Sequence, residues 1–352
     1  MNALVIQRGG SPVAPNVQFV SDWPDVPDAG ALPPGHAIIR TLATALNHLD
    51  LWVGKGVPGL DLTYPRISGC DACGVVEALA AGVDPTWIGK RVVVNAASPA
   101  PVSRSPLDPT DSALAPAFEV IGEHHNGMHR ERFIAPVANL AVVRGDQDPL
   151  DAAAFALTHL TAYSMMVTKA GLLPGQRVLI TGIGGGVALA ALNIAKWKGC
   201  QVVVTSRHQS KLDRAAELGA DFGVLDTGQD WSREVRAWAG KARGVELAVD
   251  SSGKATHLKC LKSLGRGGAY VTPGCTSGPD ATTDLARIFW NQLRIIGSTM
   301  GSNDELAEIG ALFRIGVLKP VVDHVVPARR GAEAFARLES GEQFGKVVID
   351  WR

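Results

Sequence analysis

The chain has 352 residues, of which 46% are hydrophobic and 19% are charged, so it is long enough to form two domains with substantial cores. Lysine plus arginine equals aspartate plus glutamate, 34 against 34, and no run of like charges occurs, which argues against a nucleic-acid-binding protein. The first residues do not resemble a signal peptide and no apolar segment approaches membrane-spanning length, so we expect a cytoplasmic protein without a membrane partner.

The first 145 residues contain short runs of β-branched and hydrophobic residues separated by glycine and proline, a pattern typical of β-strands. The clearest runs are HAIIRTL (36–42), GVVEALA (74–80) and KRVVVNA (90–96). A single helical turn is predicted within residues 44–56. The segment 95–117 is rich in proline, serine and alanine, so it is predicted to be a long surface loop.

From about residue 150 onwards, hydrophobic runs of strand length alternate with longer segments that are compatible with helices. Helices are predicted at 149–171, 184–200, 210–220 and 232–240, and strands at 177–182, 201–206 and 222–226. The alternation continues to residue 299, and the tail from residue 321 returns to mixed strand and helix. Such alternation predicts an α/β domain with a doubly wound parallel sheet and helices on both faces.

Four glycines stand between a predicted strand and the helix that follows it: Gly182, Gly184, Gly185 and Gly186. Glycine here lets the backbone approach a pyrophosphate, and the start of the helix offers free N–H groups and the positive end of the helix dipole. Val187 replaces the third glycine of the usual G-x-G-x-x-G spacing, so G-x-x-G-x-x-A, which ends at Ala188, describes the segment better. We therefore predict a dinucleotide site, with Gly182, Gly185, Gly186 and Val187 around the pyrophosphate.

The turn after the strand at 201–206 predicts which dinucleotide is bound. Sites that prefer NAD usually carry Asp or Glu here, which bonds to the ribose hydroxyls. This chain has Ser206 and Arg207 in the turn, followed by Lys211, and its next acid is Asp213. A hydroxyl and two positive charges suit a 2′-phosphate, which predicts NADPH as the cofactor. The alternative is that Arg207 and Lys211 are ordinary solvated surface charges.

With these segments in place, the chain resembles the medium-chain dehydrogenase/reductase superfamily over nearly its whole length, and within it the quinone-oxidoreductase and zinc-independent alcohol-dehydrogenase-like branches. The resemblance rests on the segments LNHLDLW (46–52), YPRISGCDACGVV (64–76), GKRVVV (89–94), LTAY (160–163), AGLLPGQRVLITG (170–182), AAELGAD (215–221), GSTMG (297–301) and FGKVVI (344–349). It implies a chaperonin-10-like β-barrel catalytic domain at 1–145 and 321–352, with a Rossmann domain at 146–320. It also implies a small-molecule substrate and a homodimer or homotetramer.

The resemblance further predicts that the chain lacks the catalytic zinc of its zinc-dependent relatives. In those relatives a His and a Glu occupy the positions of Cys70 and Asp71, and two cysteine ligands occupy those of Asn47 and Leu157. Leucine cannot bind zinc and an amide is a poor ligand, whereas catalytic zinc needs about three protein donors. The structural-zinc lobe of the relatives is matched by segment 95–117, which contains neither cysteine nor histidine.

The five cysteines are expected to be reduced thiols, because an odd number in a chain without a secretory signal does not suggest a disulfide framework. Cys70 and Cys73 are predicted to lie in one strand with their side chains on opposite faces, which disfavours joint chelation of a metal. Cys73 is expected in the core, and Cys70 beside the site. An unorthodox metal site formed by Cys70, Asp71 and His159 is the alternative.

Two further positions predict the type of substrate. The hydroxyl and histidine of the zinc enzymes' proton relay are replaced here by Leu49 and Trp52, so the chain is not expected to activate a simple alcohol. Quinones and enones are electron-poor and accept hydride without a metal, provided that hydrogen-bond donors stabilise the oxyanion. We therefore predict an NADPH-dependent quinone or enone reductase. The alternatives are an alcohol dehydrogenase with non-standard zinc ligands and an NADPH-binding protein without catalytic activity.

The resemblance also assigns residues to the cofactor and the reaction. Those implied at the cofactor are Asn47 and Thr161 near the nicotinamide, His48 near the pyrophosphate, Gly274 and Ser298 at the carboxamide, and Lys346. The possible proton donors are Tyr64, His48, His159, His124, His125 and His129. A single histidine is more often structural or solvated than catalytic, so Tyr64 is preferred, with Asn47 as the second catalytic residue. Water is the alternative donor.

Overall fold

The computed structural model describes residues 1–98, 114, 118–240 and 243–352. Most of the loop predicted at 95–117 lies outside these residues. Two compact units are present: the first contains Met1–Leu157, Ser302–Gly316 and Pro320–Arg352, and the second contains Thr158–Gly301 and Val317–Lys319. The sequence-based domain bounds remain a prediction. In the part of the chain that the structure describes, no helix is both long and apolar enough to cross a membrane.

The strands and helices follow each other in the order expected from the sequence. The strands are β1 Ala3–Ile6, β2 Val17–Val20, β3 His36–Ala45, β4 Ala72–Leu79, β5 Arg91–Val94, β6 Ala97–Ser98, β7 Glu119–Val120, β8 Arg132–Pro136, β9 Leu140–Val142, β10 Arg177–Ile180, β11 Gln201–Ser206, β12 Phe222–Leu225, β13 Val245–Val249, β14 Leu264–Thr272, β15 Arg294–Gly297, β16 Val322–Pro327 and β17 Lys346–Asp350. The helices are α1 His48–Lys55, α2 Pro149–Tyr163, α3 Gly186–Trp197, α4 Gln209–Glu217, α5 Ser232–Ala239, α6 His257–Ser263, α7 Leu285–Asn291, α8 Asn303–Arg314 and α9 Gly331–Ser340. Short 3₁₀ turns lie at Ala14–Asn16, Ala29–Ala31, Pro85–Trp87, Val137–Asn139 and Ala328–Arg330.

The first unit is built on a sheet in the order β16-β17-β3-β4-β5-β9, and β8 also pairs with β3. Strand β3 is the centre of this sheet, because it runs antiparallel to β4 along nearly its whole length, to β8 over its first half and to β17 at its carboxyl end. Helix α9 packs on the same core through the fully buried ring of Phe335, with Leu4, Ile6 and Ile349 around it. Small pairs of strands, β1 with β2 and β6 with β7, complete the described part of the unit.

The direction of β3 determines which residues meet at one edge of this sheet. Because β3 is antiparallel to both β4 and β17, its carboxyl end lies beside the amino ends of these strands. Asn47 follows β3, Asp71 precedes β4 and Lys346 begins β17. Backbone bonds hold this edge together: Ala45 N donates to the Asp71 carbonyl at 3.0 Å, and Leu46 N donates to Val347 at 2.9 Å.

The second unit is a parallel sheet in the order β12-β11-β10-β13-β14-β15. This is the doubly wound Rossmann order, in which the first strand, β10, lies at the centre and the chain then winds outwards in both directions. The central strands are buried along their length, as their continuous hydrophobic runs predicted. The predicted α/β class with a Rossmann sheet is therefore confirmed.

Several local predictions differ from the structure. The single helical turn predicted within 44–56 is the eight-residue helix α1, and the surface loop predicted at 95–117 begins with three buried residues and strand β6. The helix predicted over 149–171 is α-helical only to Tyr163 and continues as a π-helical turn, Ser164–Lys169. Cys70 was expected inside a strand, which is wrong: β4 begins at Ala72, so Cys70 lies in the irregular segment before it. Both Cys70 and Cys73 are buried, but only Cys73 belongs to the strand.

Candidate functional site

The glycine-rich turn joins β10 to α3 in the second unit. Gly182 has φ +62° and Gly184 has φ +115°, values that only glycine adopts at low cost. The turn crosses towards β11, because Ile183 N donates to the Thr205 carbonyl at 2.9 Å. Gly185 is the N-cap of α3 and supplies no side-chain cap. The first N–H groups of α3 therefore have no partner within the helix, an arrangement that suits an anion.

The predicted 2′-phosphate residues follow β11, next to this turn. Ser206 is buried and its hydroxyl oxygen accepts a hydrogen bond from His208 N at 3.1 Å, while Arg207 is exposed. Lys211 is half-buried in the first turn of α4. The acid at the end of the neighbouring strand is Asp226, which forms an ion pair with Lys259 at 3.1 Å. Ser206 and Arg207 thus follow Thr205, which contacts the glycine turn. The charge of Asp226 is balanced by Lys259.

The residues expected at the carboxamide lie at the ends of β14 and β15. Thr272 connects them: its carbonyl accepts from Ser298 N at 3.0 Å, and its hydroxyl bonds to the Gly274 carbonyl at 2.7 Å. The Ser298 hydroxyl also accepts from Lys169 Nζ at 3.0 Å. Lys169 belongs to the π-helical turn, a feature that often marks functional segments. Thr161, the other residue expected here, is buried in α2.

Asp250 organises the carboxyl ends of the central strands and was missed in the sequence analysis. It follows β13, is fully buried, and accepts hydrogen bonds from Thr181 Oγ1 at 2.6 Å, Thr256 Oγ1 at 2.8 Å and Tyr270 OH at 2.9 Å. Ser252 N also donates to it at 2.9 Å. Its contacts connect the turn after β10 with the turn after β13. An acid directly after a buried strand, as in VELAVD, was the available signal.

A second cluster lies in the first unit, at the edge of β17, β3 and β4. Lys346 Nζ donates to Asn47 Oδ1 at 2.6 Å and to Asp71 Oδ2 at 3.0 Å. Asp71 is 0% exposed and Lys346 is 4% exposed, so this is a buried ion pair. Burial raises the pKa of the Asp71 carboxyl, and the opposing effect of Lys346 is smaller. The ammonium of Lys346, expected at the cofactor, is thus bound to an aspartate and an amide of its own unit.

Asn47 is held on both its backbone and its side chain. Its backbone N–H donates to Asp50 Oδ2 at 2.7 Å, across the start of α1. Asp50 Oδ1 lies 3.3 Å from His129 Nε2, and His129 Nδ1 lies 2.8 Å from Thr44 Oγ1, so a buried polar chain supports the helix start. Burial alone would raise the pKa of Asp50, but His129 and the Asn47 N–H together lower it.

The residues at the zinc-ligand positions do not fit a zinc ion. Leu157 contributes only its backbone N–H, which donates to Asp71 Oδ1 at 3.3 Å. The Asn47 oxygen and the Asp71 carboxylate, the possible oxygen ligands, both accept from the cation Lys346. Burial, together with the nearby carboxylates, raises the pKa of the Cys70 thiol well above its usual value, which disfavours a thiolate ligand.

The alternative metal site of Cys70, Asp71 and His159 also lacks a suitable set of ligands. Among the described residues, no group of three or more His, Cys, Asp or Glu side chains could hold a metal ion. His159, the third member of the alternative site, lies in the second unit and is buried, with Nε2 3.3 Å from Asn193 Oδ1. Neither the family's zinc ligands nor this alternative set therefore provides a fitting donor group.

The proton-donor candidates are dispersed. The Tyr64 hydroxyl donates to the Val53 carbonyl at 2.5 Å, and burial raises its pKa. His48 keeps an exposed side chain, yet the protein packed around it, and then the charge of Lys346, lower its pKa from 6.5. His124 Nδ1 accepts from Val120 N at 3.1 Å, whereas His125 bonds to an exposed glutamate on the surface. Among these histidines, His129 is linked to Asn47 through Asp50, which accepts the Asn47 backbone N–H.

Comparisons with known proteins agree with this architecture. Residues 33–145 match the alcohol dehydrogenase GroES-like domain, and residues 186–314 match the family described as zinc-binding dehydrogenase. The zinc-type alcohol dehydrogenase-like protein YogA of Leptosphaeria maculans is 29% identical over 334 residues, which cover 90% of this chain and 91% of that protein. The GroES-like match confirms the chaperonin-10-like fold expected for the catalytic domain.

Two solved structures are similar over the full length. One, described as an NAD-dependent alcohol dehydrogenase, is 37% identical, with a TM-score of 0.89 and 100% of both chains covered. The other, a cobalt- and zinc-bound thermostable alcohol dehydrogenase from Pyrobaculum aerophilum, is 28% identical, with a TM-score of 0.84 and coverage of 100% of this chain and 99% of that one.

Proposed function

The chain belongs to the medium-chain dehydrogenase/reductase superfamily, and we propose that it is a zinc-independent, NADPH-dependent oxidoreductase that transfers hydride to quinones, enones or related activated carbonyl compounds. The observation that carries this proposal is the cluster of Asn47, Asp71 and Lys346. At the positions where zinc-dependent relatives bind their metal, this chain has a buried ammonium that is bonded to both oxygen-bearing side chains.

The missing zinc ligands determine the substrate class. Oxidation of an alcohol requires its alkoxide, which a metal ion stabilises by lowering the pKa of the bound oxygen. An enone or quinone needs no such activation, because hydride addition moves the negative charge onto an oxygen that hydrogen bonds can stabilise. At this edge of the first unit the Asn47 amide nitrogen is a donor that the protein engages only weakly, which suits that task.

The cofactor is proposed to bind along the carboxyl ends of the parallel strands. Its pyrophosphate lies at the start of α3, against the backbone of Gly182, Gly185, Gly186 and Val187. Ser206, Arg207 and Lys211 take the 2′-phosphate, and Thr161, Gly274 and Ser298 face the nicotinamide. The exposed Arg207 and the neutralised Asp226 support NADPH over NADH. One similar structure is described as NAD-dependent, so this preference is the point to test first.

Asn47 is the proposed hydrogen-bond donor to the substrate. The final proton comes from a second source, for which Tyr64 and water are the candidates. Tyr64 would have to leave the Val53 carbonyl before it could donate, and burial raises its pKa. We therefore propose that water, and not Tyr64, donates the last proton. The variant Tyr64→Phe tests whether the tyrosine hydroxyl donates it. The resemblance also suggests a homodimer or homotetramer, which light scattering would measure.

The test is a panel of 1,2-naphthoquinone, an enone, benzyl alcohol and ethanol, assayed with NADPH and NADH, alongside elemental analysis of protein purified without added metal. We expect reduction of the quinone and the enone, no measurable alcohol oxidation, and no stoichiometric zinc. One zinc per chain whose removal abolishes turnover would instead support an alcohol dehydrogenase with non-standard ligands. No turnover combined with saturable NADPH binding would support a non-catalytic binding protein.

The cofactor preference is tested by dissociation constants for NADPH and NADH. A hydrogen bond to a charged group contributes about 1.5–3 kcal/mol, so Arg207→Ala should weaken NADPH binding about 10- to 100-fold and leave NADH binding nearly unchanged. Arg233→Ala, which removes an exposed arginine of α5, is the matched control. Equal affinity of the wild-type protein for both cofactors would make the basic turn an ordinary solvated surface.

A further inference from the structure

We propose that Lys346 and Asp71 orient the Asn47 carboxamide so that its N–H group donates a hydrogen bond to the substrate oxygen that becomes negative during hydride transfer. Lys346 and Asp71 are then positioning residues, and Asn47 is the group that touches the reacting molecule. This inference rests on the proposed function and names how its site stabilises the oxyanion.

The orientation of Asn47 follows from which atoms can donate. A carboxamide has one end that accepts hydrogen bonds and one that donates, whereas an ammonium only donates. Lys346 Nζ lies 2.6 Å from Asn47 Oδ1, so the oxygen must face the lysine. The amide nitrogen is then the donating end of the carboxamide, and it lies 3.5 Å from Asp71 Oδ2. The usual ambiguity between the two ends of an asparagine does not arise here, because the reversed amide would place two donors together.

The lysine is itself held in place. Its second contact is the carboxylate of Asp71 at 3.0 Å, and Asp71 Oδ1 accepts the backbone N–H of Leu157 at 3.3 Å. Gly345, just before Lys346, has φ +124°, and a Cβ there would lie 2.4 Å from the Val321 carbonyl. The backbone that delivers the lysine therefore requires glycine. Burial of both charged groups leaves little freedom for the ammonium to move.

The Asn47 amide nitrogen is weakly engaged by the protein. Its nearest acceptors are the Ala45 carbonyl and Cys70 Sγ at 3.4 Å and Asp71 Oδ2 at 3.5 Å. These distances exceed the usual 2.9–3.0 Å of an N–H···O bond, so the donor capacity is largely unused. Asn47 is also only half-buried, in contrast to Asp71 and Lys346.

A nicotinamide cofactor held at the glycine turn would supply a hydride, that is, one hydrogen with two electrons, to the β-carbon of an enone and would itself become oxidised. The π electrons of the C=C bond shift, the carbonyl π electrons move onto oxygen, and an enolate forms. Asn47 N–H stabilises that oxygen without losing its proton, and water then protonates the α-carbon. A quinone follows the same course to a hydroquinone anion, which takes its proton from water.

The first experiment is a double-mutant cycle on the full-length chain, with 1,2-naphthoquinone and NADPH. Loss of one oxyanion donor typically lowers kcat about 10²- to 10³-fold, so Asn47→Ala and Lys346→Met should each lower kcat by about 100-fold. Because Lys346 acts through Asn47, the double variant should be no slower than the slower single variant. Lys55→Met, an exposed lysine on α1, should retain wild-type kcat. NADPH affinity should change by less than about 3-fold in each of them.

Lys346→Met leaves the buried Asp71 carboxylate without its lysine partner, and this variant could fail to fold. The variant Lys346→Met/Asp71→Asn removes both charges and keeps the kinetic comparison possible. It should show the same loss of kcat as Lys346→Met. Multiplicative effects of the Asn47 and Lys346 substitutions would overturn the proposal. So would a loss of NADPH affinity parallel to the loss of kcat, because Lys346 would then serve the cofactor directly.

A second experiment does not require turnover. Binding of 4-nitrophenol to the NADP⁺-bound protein is followed by its visible phenolate absorbance across pH. The wild-type protein should prefer the phenolate over the phenol by about 10-fold or more, and Asn47→Ala and Lys346→Met should lose this preference. The absence of a preference in the wild-type protein overturns the inference. Failure of the substrate panel alone overturns the proposed function, since the phenolate experiment is decided independently of it.

Discussion

The glycine turn of the second unit and the Asn47 cluster of the first unit solve the same problem in opposite ways. In the proposed function, both present hydrogen-bond donors to an anion. The turn does so with backbone N–H groups at the start of α3, which one continuous segment provides. The cluster does so with side chains, and the bond between Lys346 and Asn47 joins residues 299 positions apart. Local chain geometry therefore creates the first site, and tertiary structure alone creates the second.

The two sites also differ in how they handle charge. The turn carries no ionised side chain of its own, so its donors rely on the helix dipole and are available to a ligand. The cluster contains a complete ion pair that is removed from water, and only the amide of Asn47 remains to donate. Removing a charge should therefore destabilise the first unit strongly, whereas adding a charge at the turn should chiefly affect binding.

The largest effect is expected from breaking the buried pair. Lys346→Met leaves Asp71 unpaired in a fully buried site, and loss of one partner of a buried pair typically costs about 3–5 kcal/mol. The free energy of unfolding in urea should fall by about that amount. Lys346→Met/Asp71→Asn should recover most of it, because no isolated charge remains. A Lys346→Met protein as stable as the wild type would show that the pair is solvated.

A sharper comparison comes from adding a charge at the glycine turn. Gly185 has an extended backbone conformation, and a Cβ there meets only the Gly182 carbonyl at 3.8 Å, so a side chain is sterically acceptable. Gly185→Asp should cap α3 and leave stability unchanged or slightly higher. Its carboxylate would occupy the place of the pyrophosphate, so dinucleotide affinity should fall about 100-fold. Titration of tryptophan fluorescence with NADPH measures this.

Gly185→Asn is the matched control, because it caps the helix equally well without a charge. We expect it to weaken NADPH binding much less than Gly185→Asp does. Equal losses with the two substitutions would mean that the space around Gly185, and not the charge, determines binding.

The contrast between the sites explains what could be predicted from the sequence. The Rossmann strands, the glycine turn and the position of Arg207 were predicted because hydrophobic periodicity and turn residues are local signals. Asp71 and Lys346 were each singled out, but not as partners, since nothing local connects two residues so far apart. The hydrogen bond from the Tyr64 hydroxyl to the Val53 carbonyl could not be predicted from the sequence either. Cys70 was predicted inside a strand although it lies two positions before the start of β4, because strand ends are poorly marked by composition.

The support beneath Asn47 gives a smaller, pH-dependent effect. The folded-state pKa of Asp50 is lowered from 3.8, so its ionised form stabilises the native state above that pH, and the contribution is lost as pH falls through the folded pKa. Asp50→Asn should cost about 2 kcal/mol at neutral pH. The stability difference between wild type and variant should shrink in acid. Urea unfolding from pH 3 to pH 7 measures it, and a difference that stays constant with pH would exclude the charge as the cause.

The smallest effect concerns Asp230, an exposed counterpart of Asp71 in the second unit. Each carboxylate binds a lysine and a backbone N–H: Asp230 lies 2.8 Å from Lys262 Nζ and accepts from Ser232 N at 3.1 Å. Asp230 also accepts from Ser232 Oγ at 2.6 Å, and Asp71 lies 3.5 Å from Asn47 Nδ2. Desolvation opposes ionisation in both, but at Asp230 the bonds to Lys262 and Ser232 prevail and lower its pKa to about 2, whereas burial prevails at Asp71. The smaller desolvation at the more exposed Asp230 is therefore one cause of the difference in sign between the two pKa shifts.

The Asp230 interaction should contribute little to stability, because its side chain is 43% exposed and solvent screens it. Asp230→Asn should lower the free energy of unfolding by less than about 1 kcal/mol at pH 7. That contribution is present above pH 3.8 and is lost as pH falls through about 2. Titration by NMR measures both carboxyls in one experiment. If Asp71 titrated as low as Asp230, the lysine and not burial would dominate at both sites, and the proposed contrast between the two units would disappear.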